Sequence, residues 1–312
     1  MKVALLTGSA TGLGAVIAHH LALQGYTIAI NYRQSKEQAL ETLQNLKNLG
    51  ASDGIAIKAD LSDPVETEAL VKTVLSTFGY VDVLIHTAGP FLRERKPLTE
   101  NSYAEWFEMI NGNLSSAFFL CKNLIPSMRN RGYGRIITFG YDRAEQATEQ
   151  FYRGPYASAK TGLVSLTRTL AIEERPHGIT ANMICPGDIR KKEKDAAIYD
   201  LVHDKQVNPS NPCRAIIDTL DLFLSPASYE LNGSIINVTG GKNIFHEIDL
   251  QNFSKEPSLK KGQWVLVNPW DNEKCEIIDI SIDYYGRNLY TIKDTKGEKC
   301  GKFTNYQIQE VN

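Results

Sequence analysis

Met1-Lys2-Val3-Ala4-Leu5-Leu6-Thr7-Gly8-Ser9-Ala10-Thr11-Gly12-Leu13-Gly14 decides how the rest of the chain is read. Val3–Thr7 is a short apolar run of the kind that fills a buried parallel strand, and glycines follow where strand would turn into helix. Gly8 can take the sharp turn, Gly12 lets backbone approach a pyrophosphate, and Gly14 allows the helix to pack closely on the strand. The helix N-terminus then offers free N–H donors to the anion. Ser9, Thr11 and Leu13 complete the loop. Its place at the first strand-to-helix junction makes dinucleotide binding the expectation, over a tight turn without ligand.

Six more apolar runs rich in Val and Ile follow: Thr27–Asn31, Gly54–Ala59, Val81–His86, Gly134–Phe139, Ile179–Cys185 and Ser234–Val238, each bounded by Gly, Pro, Asp or Asn. Stretches of helical period lie between them. The alternation predicts a doubly wound α/β Rossmann fold on a parallel seven-stranded sheet. Leu114, Ala117, Phe118, Cys121, Leu124, Ile125 and Met128 form one apolar stripe, on a predicted helix over 106–130. Leu163, Leu166, Leu170 and Ala171 form another over 156–174, ended by Pro176 and Gly178.

After Gly240-Gly241 the helical period is lost, and residues 253–259 are polar and contain Pro257. Short runs follow at Trp264–Val267, Glu276–Ile280, Leu289–Ile292 and Lys302 through Ile308, separated by Asn-Pro, Tyr-Gly and Lys-Gly turn signals. The expected organisation is a catalytic domain over 1–248, a linker over 249–260 and a small all-β, SH3-like barrel over 261–312. From residue 253 onward nine basic residues balance nine acidic ones, so the tail has no electrostatic reason to seek phosphates. Contact with a protein partner, or cover for an exposed edge, suits it better.

The 312 residues are 42% hydrophobic and 22% charged with a formal net charge of -2, which excludes collagen-like, disordered and membrane-spanning classes and argues against coating nucleic acid. Five scattered cysteines, none in a close Cys-x-x-Cys pair, suggest neither a disulfide framework nor a metal site. The apolar run before Thr7 is too short for a signal peptide, so a cytoplasmic location is expected.

Which dinucleotide binds depends on the end of the second strand, where an acidic residue would accept the ribose hydroxyls and a cation would attract a 2′-phosphate. Asn31-Tyr32-Arg33 stands there, and no acidic residue occurs before Glu37. The planar fork of Arg33 suits phosphate, which favours NADP(H). After the third strand, Asp60-Leu61 would meet the adenine edge, although Asp60 could equally cap the helix that begins near Pro64. Further on, Tyr156-Ala157-Ser158-Ala159-Lys160 puts a phenol and an ammonium four apart, on one helix face. A nearby cation favours phenolate, so Tyr156 could exchange a proton with a carbonyl or an alcohol, though most such pairs are ordinary surface residues.

The ordered set Thr7-Gly8-x-x-x-Gly12-x-Gly14, Asp60, Ala88-Gly89, Asn113, Tyr156-x-x-x-Lys160 and Pro186-Gly187 resembles the classical short-chain dehydrogenases/reductases over roughly residues 1 to 245. The resemblance implies that Tyr156 is the general acid of carbonyl reduction and that Lys160 holds the nicotinamide ribose and depresses the phenol. It makes Asn113 part of a water-linked proton relay, with Pro186, Gly187 and Ile189 beside the nicotinamide. It also implies a homodimer or homotetramer formed through the two long helices.

Three departures stand out. His86-Thr87-Ala88-Gly89 replaces the usual Asn-Asn-Ala-Gly, keeping the small pair. Gly134-Arg135-Ile136-Ile137-Thr138-Phe139-Gly140-Tyr141 places Tyr141 where the catalytic serine is expected. Tyr141, or Tyr152 from the loop before Tyr156, would have to supply that hydroxyl. Asp188-Ile189-Arg190-Lys191-Lys192 replaces a threonine-containing stretch, and its basic run would meet an acidic carrier or simply be a solvated loop.

Gly89-Pro90, Glu94-Arg95-Lys96, Met109-Ile110-Asn111-Gly112-Asn113-Leu114 and the stretch from Gly178 to Ile189 resemble Bacillus-type members of the 3-oxoacyl-carrier-protein reductase-like branch. Some of these resemble a reductase of an aminopentanone group on elongation factor P. The expected activity is therefore NADPH-dependent reduction of a small, carrier-linked or protein-linked carbonyl. A catalytically weak NADP(H)-binding sensor, its tail recruiting a partner, is the competing reading that the absent serine favours.

Overall fold

A computed structural model describes residues 2–92, 96–148, 150, 152–240, 259–267, 273–282, 288–296, 300–303 and 308–310. The chain divides into two units, residues 1–240 and 241–312. Most of the expected linker, 249–258, lies outside the described residues. No helix among the described residues is long and apolar enough to cross a membrane.

The first unit holds seven parallel strands: β1 (Val3–Thr7), β2 (Thr27–Tyr32), β3 (Gly54–Lys58), β4 (Val83–His86), β5 (Gly134–Phe139), β6 (Ile179–Pro186) and β7 (Ile235–Val238). Their order in the sheet is β3-β2-β1-β4-β5-β6-β7. All seven expected strands are present, each end within two residues of the sequence reading. Helices α1 (Gly12–Leu23), α2 (Lys36–Leu49) and α3 (Pro64–Phe78) follow the first three strands. They are joined by α4 (Tyr103–Ile110), α5 (Ser116–Arg131), α6 (Gly154–Glu174), α7 (Lys191–His203) and α8 (Pro212–Leu224).

The side-chain period of two explains the layers. Ala4 and Leu6 of β1 point into one core with Ile17 and Leu21 of α1 and Ile216 and Leu220 of α8. Val3 and Leu5 point into the other, with Leu70 and Val74 of α3 and Leu120 and Leu124 of α5. Both faces of the strand are therefore buried, which is why it reads as a continuous apolar run. Each fully buried Leu contributes about 1.5–3 kcal/mol of transfer free energy.

The predicted continuous helix over 106–130 is corrected. A π-turn at Asn111–Ser115 separates α4 from α5, a feature of side-chain contacts that hydrophobic spacing does not encode. Phe118, counted in the apolar stripe, is 49% exposed. It sits about 100° round the helix from the buried Ala117, while the unpredicted Leu120 takes the inward position.

The second unit is a five-stranded antiparallel sheet: β8 (Trp264–Val267), β9 (Glu273–Ile282), β10 (Asn288–Asp294), β11 (Cys300–Phe303) and β12 (Ile308–Glu310). Their order is β11-β10-β9-β8-β12. Leu259, Val265, Cys275, Ile277, Tyr290 and Ile292 form its core.

Candidate active site

The strand order reverses between β2 and β4 on either side of β1, and in such sheets the crevice beyond the strand ends at that point receives the ligand. The glycine loop leaves β1 there. Gly8 adopts φ +61°, and a Cβ on it would come within 2.8 Å of the Ala88 Cα. A Cβ on Gly14 would come within 2.6 Å of the Thr87 hydroxyl oxygen. Thr11 caps α1 without using its side chain, and the first turn carries no acidic residue, which leaves backbone N–H groups facing the cleft. These features fit a pyrophosphate. Not every predicted loop residue faces it: the Ser9 hydroxyl donates to the Leu6 carbonyl at 2.8 Å. Leu13 packs against the core.

Beyond the loop, one cleft of about 230 Å³ is lined by Gly8, Arg33, Asp60, Leu61, Ala88 and Gly89 among others. Six residues singled out in sequence thus share one wall. The Arg33 guanidinium stands 3.6 Å from the Asp60 carboxylate. Asp60 accepts from the backbone and hydroxyl of Ser62, and it is Asp63 that caps α3, accepting from Val65 and Glu66. The capping alternative for Asp60 is thereby removed. Glu108 also lines the cleft and was not anticipated, since nothing in its local sequence marks it.

His86, in place of an asparagine, builds a closed network. Its Nδ1 lies 2.9 Å from the Thr7 hydroxyl and its Nε2 3.1 Å from the Ser116 hydroxyl. The Ser116 hydrogen is already donated to the Gly112 carbonyl, so Ser116 accepts from Nε2–H and Thr7 donates to Nδ1. Thr7 Oγ1 in turn accepts from the Ala88 N–H at 3.2 Å. Burial, aided by the Lys160 charge, pushes His86 down to about 3, so the ring is neutral.

Asn113 lies inside the π-turn and is fully buried. Its amide donates to the Pro90 and Met109 carbonyls, both at 3.0 Å, and its Oδ1 has no partner among the described residues. That orphaned acceptor fits a water or ligand donor. A Cβ on Gly89 would run into it, so only glycine fits there.

Tyr156 and Lys160 stand on the first turns of α6, with the Lys160 Nζ 6.0 Å from the Tyr156 ring centroid. Lys160 is buried and donates to the Phe139 carbonyl at 2.8 Å. Burial holds it down at about 8. Burial pushes Tyr156 well above the ordinary phenol range, and the charge that opposes this is Arg153. Sequence reasoning missed Arg153, because its approach to Tyr156 runs through Phe91 from another loop.

Tyr141 occupies the expected serine position, its ring centroid 6.2 Å from that of Tyr156. Its hydroxyl donates to the Thr148 carbonyl at 2.8 Å and lies 3.2 Å from the Thr161 hydroxyl. Tyr152 has φ 59°, and its carbonyl accepts from the Lys96 N–H. Gly187 donates to the Val238 carbonyl, while Ile189 packs against α1 and α7 residues. Among the described residues the arrangement offers two phenols, two cations and an unpartnered amide oxygen. It can move a proton onto a carbonyl oxygen or off an alcohol.

This is the fold of the dinucleotide-binding oxidoreductases. The family model for short chain dehydrogenases matches residues 2–198, and the chain belongs to that family. It is 36% identical over 252 residues to YtkK of Bacillus subtilis (strain 168), a protein named as an oxidoreductase, covering 79% of this chain and 98% of that one. It is 32% identical over 245 residues to the 3-oxoacyl-acyl-carrier-protein reductase FabG of Staphylococcus aureus (strain Mu50), covering 77% of this chain and 97% of the relative. Among solved structures, a Bacillus thuringiensis protein described as a 3-oxoacyl-reductase superposes with TM-score 0.69 at 36% identity, covering 78% of this chain and 99% of the other. A variant of the actinorhodin polyketide ketoreductase with NADPH gives 0.64 at 25% identity, with coverages of 77% and 96%. The relatives support a reductase acting on carbonyl groups.

Proposed function

We propose that the chain is an NADPH-dependent reductase of 3-oxoacyl or protein-linked ketones. The observation that carries the reading is the Tyr156–Lys160 pair on α6, in a family whose relatives here are named as 3-oxoacyl reductases. NADPH, when bound, supplies hydride. Gly8, Thr11, Gly12 and Gly14 hold its pyrophosphate, Arg33 its 2′-phosphate, and Asp60 and Leu61 its adenine. Ala88, Gly89, Pro186, Gly187 and Ile189 border the nicotinamide end, while Ser9 and Leu13 shape the loop from beneath. Tyr156 donates the proton, Lys160 holds the ribose and returns protons, and Asn113 Oδ1 orders the water that links Lys160 to solvent.

Tyr141 has a narrower part. Its hydroxyl is committed to Thr148 and reaches a substrate oxygen only when that carbonyl lets go, so its standing role is to hold residues 141–148 against α6. Exposed Phe107, Phe118 and Ile172 on α4, α5 and α6 support assembly as a homodimer or homotetramer. The tail reads as an SH3-like barrel, because β12 returns to pair with β8, the first strand of the sheet, and its balanced charge suits a protein partner.

Fluorescence titration with NADPH and NADH, then oxidation of NADPH with acetoacetyl thioesters, tests the reading. Tight NADPH binding and turnover lost in Tyr156→Phe are expected. Tight binding without turnover on any ketone would favour the sensor reading, which the replacement of the expected serine by Tyr141 supports.

A further inference from the structure

We infer that Arg153 is a second positioning cation for the Tyr156 phenol, acting across the Phe91 ring. The guanidinium carbon of Arg153 lies 4.2 Å from the Phe91 centroid, and the Phe91 ring stands edge-on to Tyr156 with centroids 5.0 Å apart. Phe91 thus touches both the cation and the phenol ring, with its own ring perpendicular to that of Tyr156. Arg153 does not wander in it: its Nε donates to the Leu92 carbonyl at 3.0 Å, and the residue begins α6, one turn before Tyr156. This rests on the reading of Tyr156 as the proton donor.

Among the described residues facing the phenol, Arg153 is the cation whose charge lasts through the working pH range. Tyr141, on the loop after β5, and Cys185, on β6, also face the phenol, and neither supplies positive charge. Burial holds the Cys185 thiol up at about 12, so it stays neutral, and the acidic Asp142 and Glu145 bear on that thiol. His86 on β4 faces Lys160 and is neutral above about 3. Lys160 is the other cation among the described residues, yet burial brings it to about 8, so its charge fades in mildly alkaline solution. A guanidinium keeps its charge throughout. When Tyr156 gives up its proton, the developing phenolate is held by Arg153 at every working pH.

The sign of the effect follows. A neutral side chain at 153 raises the phenol pKa, so Tyr156 becomes a weaker acid in reduction. Reduction slows across the working pH range, and alcohol oxidation, which needs the phenolate, slows with it.

The test measures reduction of ethyl acetoacetate by NADPH with the full chain. Arg153→Gln is expected to lower kcat about tenfold while KM and NADPH affinity change little, and Arg153→Lys to restore most of the lost kcat. A merely structural arginine would move thermal stability or KM and would not be rescued through kcat by lysine. An unchanged kcat in folded Arg153→Gln, with Tyr156→Phe inactive, overturns the role of Arg153 alone. Full turnover by Tyr156→Phe overturns the acid assignment, and this inference with it.

Discussion

The Thr7 hydroxyl donates to Nδ1 of His86 across 2.9 Å, joining the last residue of β1 to the last residue of β4 at the point where the sheet order reverses. The same hydroxyl accepts from Ala88, so one histidine ties the glycine loop, the Ala88–Gly89 pair and, through Ser116, the start of α5. The site walls are held to each other by a neutral imidazole.

That neutrality sets an acid limit. The folded pKa of about 3 lies below the 6.5 of an exposed histidine, so the unfolded chain binds the extra proton first. Stability from this group is complete above about pH 6.5 and falls as pH drops toward 3, with a loss of about 2 kcal/mol at pH 5. Urea unfolding of wild type and His86→Asn between pH 5 and 7.5 measures it, and the variant should show a flatter pH dependence.

Gly8→Ala should weaken cofactor binding without removing any side-chain contact. The residue sits at φ +61°, and the added Cβ would press on the Ala88 backbone from 2.8 Å. A cost of about 1–3 kcal/mol in backbone strain is expected. NADPH titration should show affinity lowered about tenfold or more, and thermal unfolding should shift downward in the same protein.

Charge reversal at Arg33 separates the two nicotinamide cofactors. Arg33→Glu would place a carboxylate beside Asp60, where now a guanidinium stands at 3.6 Å. NADPH affinity should fall about 10- to 100-fold, from loss of a charge-assisted pairing, while NADH affinity changes little. Equal losses for both would remove Arg33 from the phosphate site.

Lys160→Met tests the buried ammonium. The substitution removes the bond to the Phe139 carbonyl together with the charge facing Tyr156 and His86. Ketone reduction should drop about 10²- to 10⁴-fold, and His86 should titrate higher because a repelling charge is gone. Histidine NMR of the variant measures the second effect independently of turnover.

Tyr141→Phe distinguishes a reacting hydroxyl from a structural one. The phenol is bonded to Thr148 within its own loop, so its removal should cost about 1 kcal/mol of stability and leave most turnover intact. A loss of turnover beyond about 100-fold would give Tyr141 the serine's chemical part.

Local signals carried the fold a long way. Each strand of the main sheet is a run of apolar residues buried on both faces, and such runs need no knowledge of their neighbours to be read. The glycine loop is legible for the same reason, since Gly8 and Gly14 are required by backbone geometry at one strand-to-helix turn. Tyr156 and Lys160 share a helix, so their spacing already put them together. The π-turn at Asn113 was illegible because it preserves the helical pattern on either side.

What the sequence by itself determined, then, was everything set within one turn or one strand: the sheet, the glycine loop and the phenol–ammonium pair. Tertiary structure alone decided how the phenol is charged and what the departures mean. Arg153 reaches the Leu92 carbonyl 61 residues away, Thr7 reaches His86 across 79, and Lys160 spends its ammonium on a strand 21 residues back. Electrostatics in a buried site depends on distances and desolvation in three dimensions, and those come only from the packing of elements that the chain itself keeps far apart.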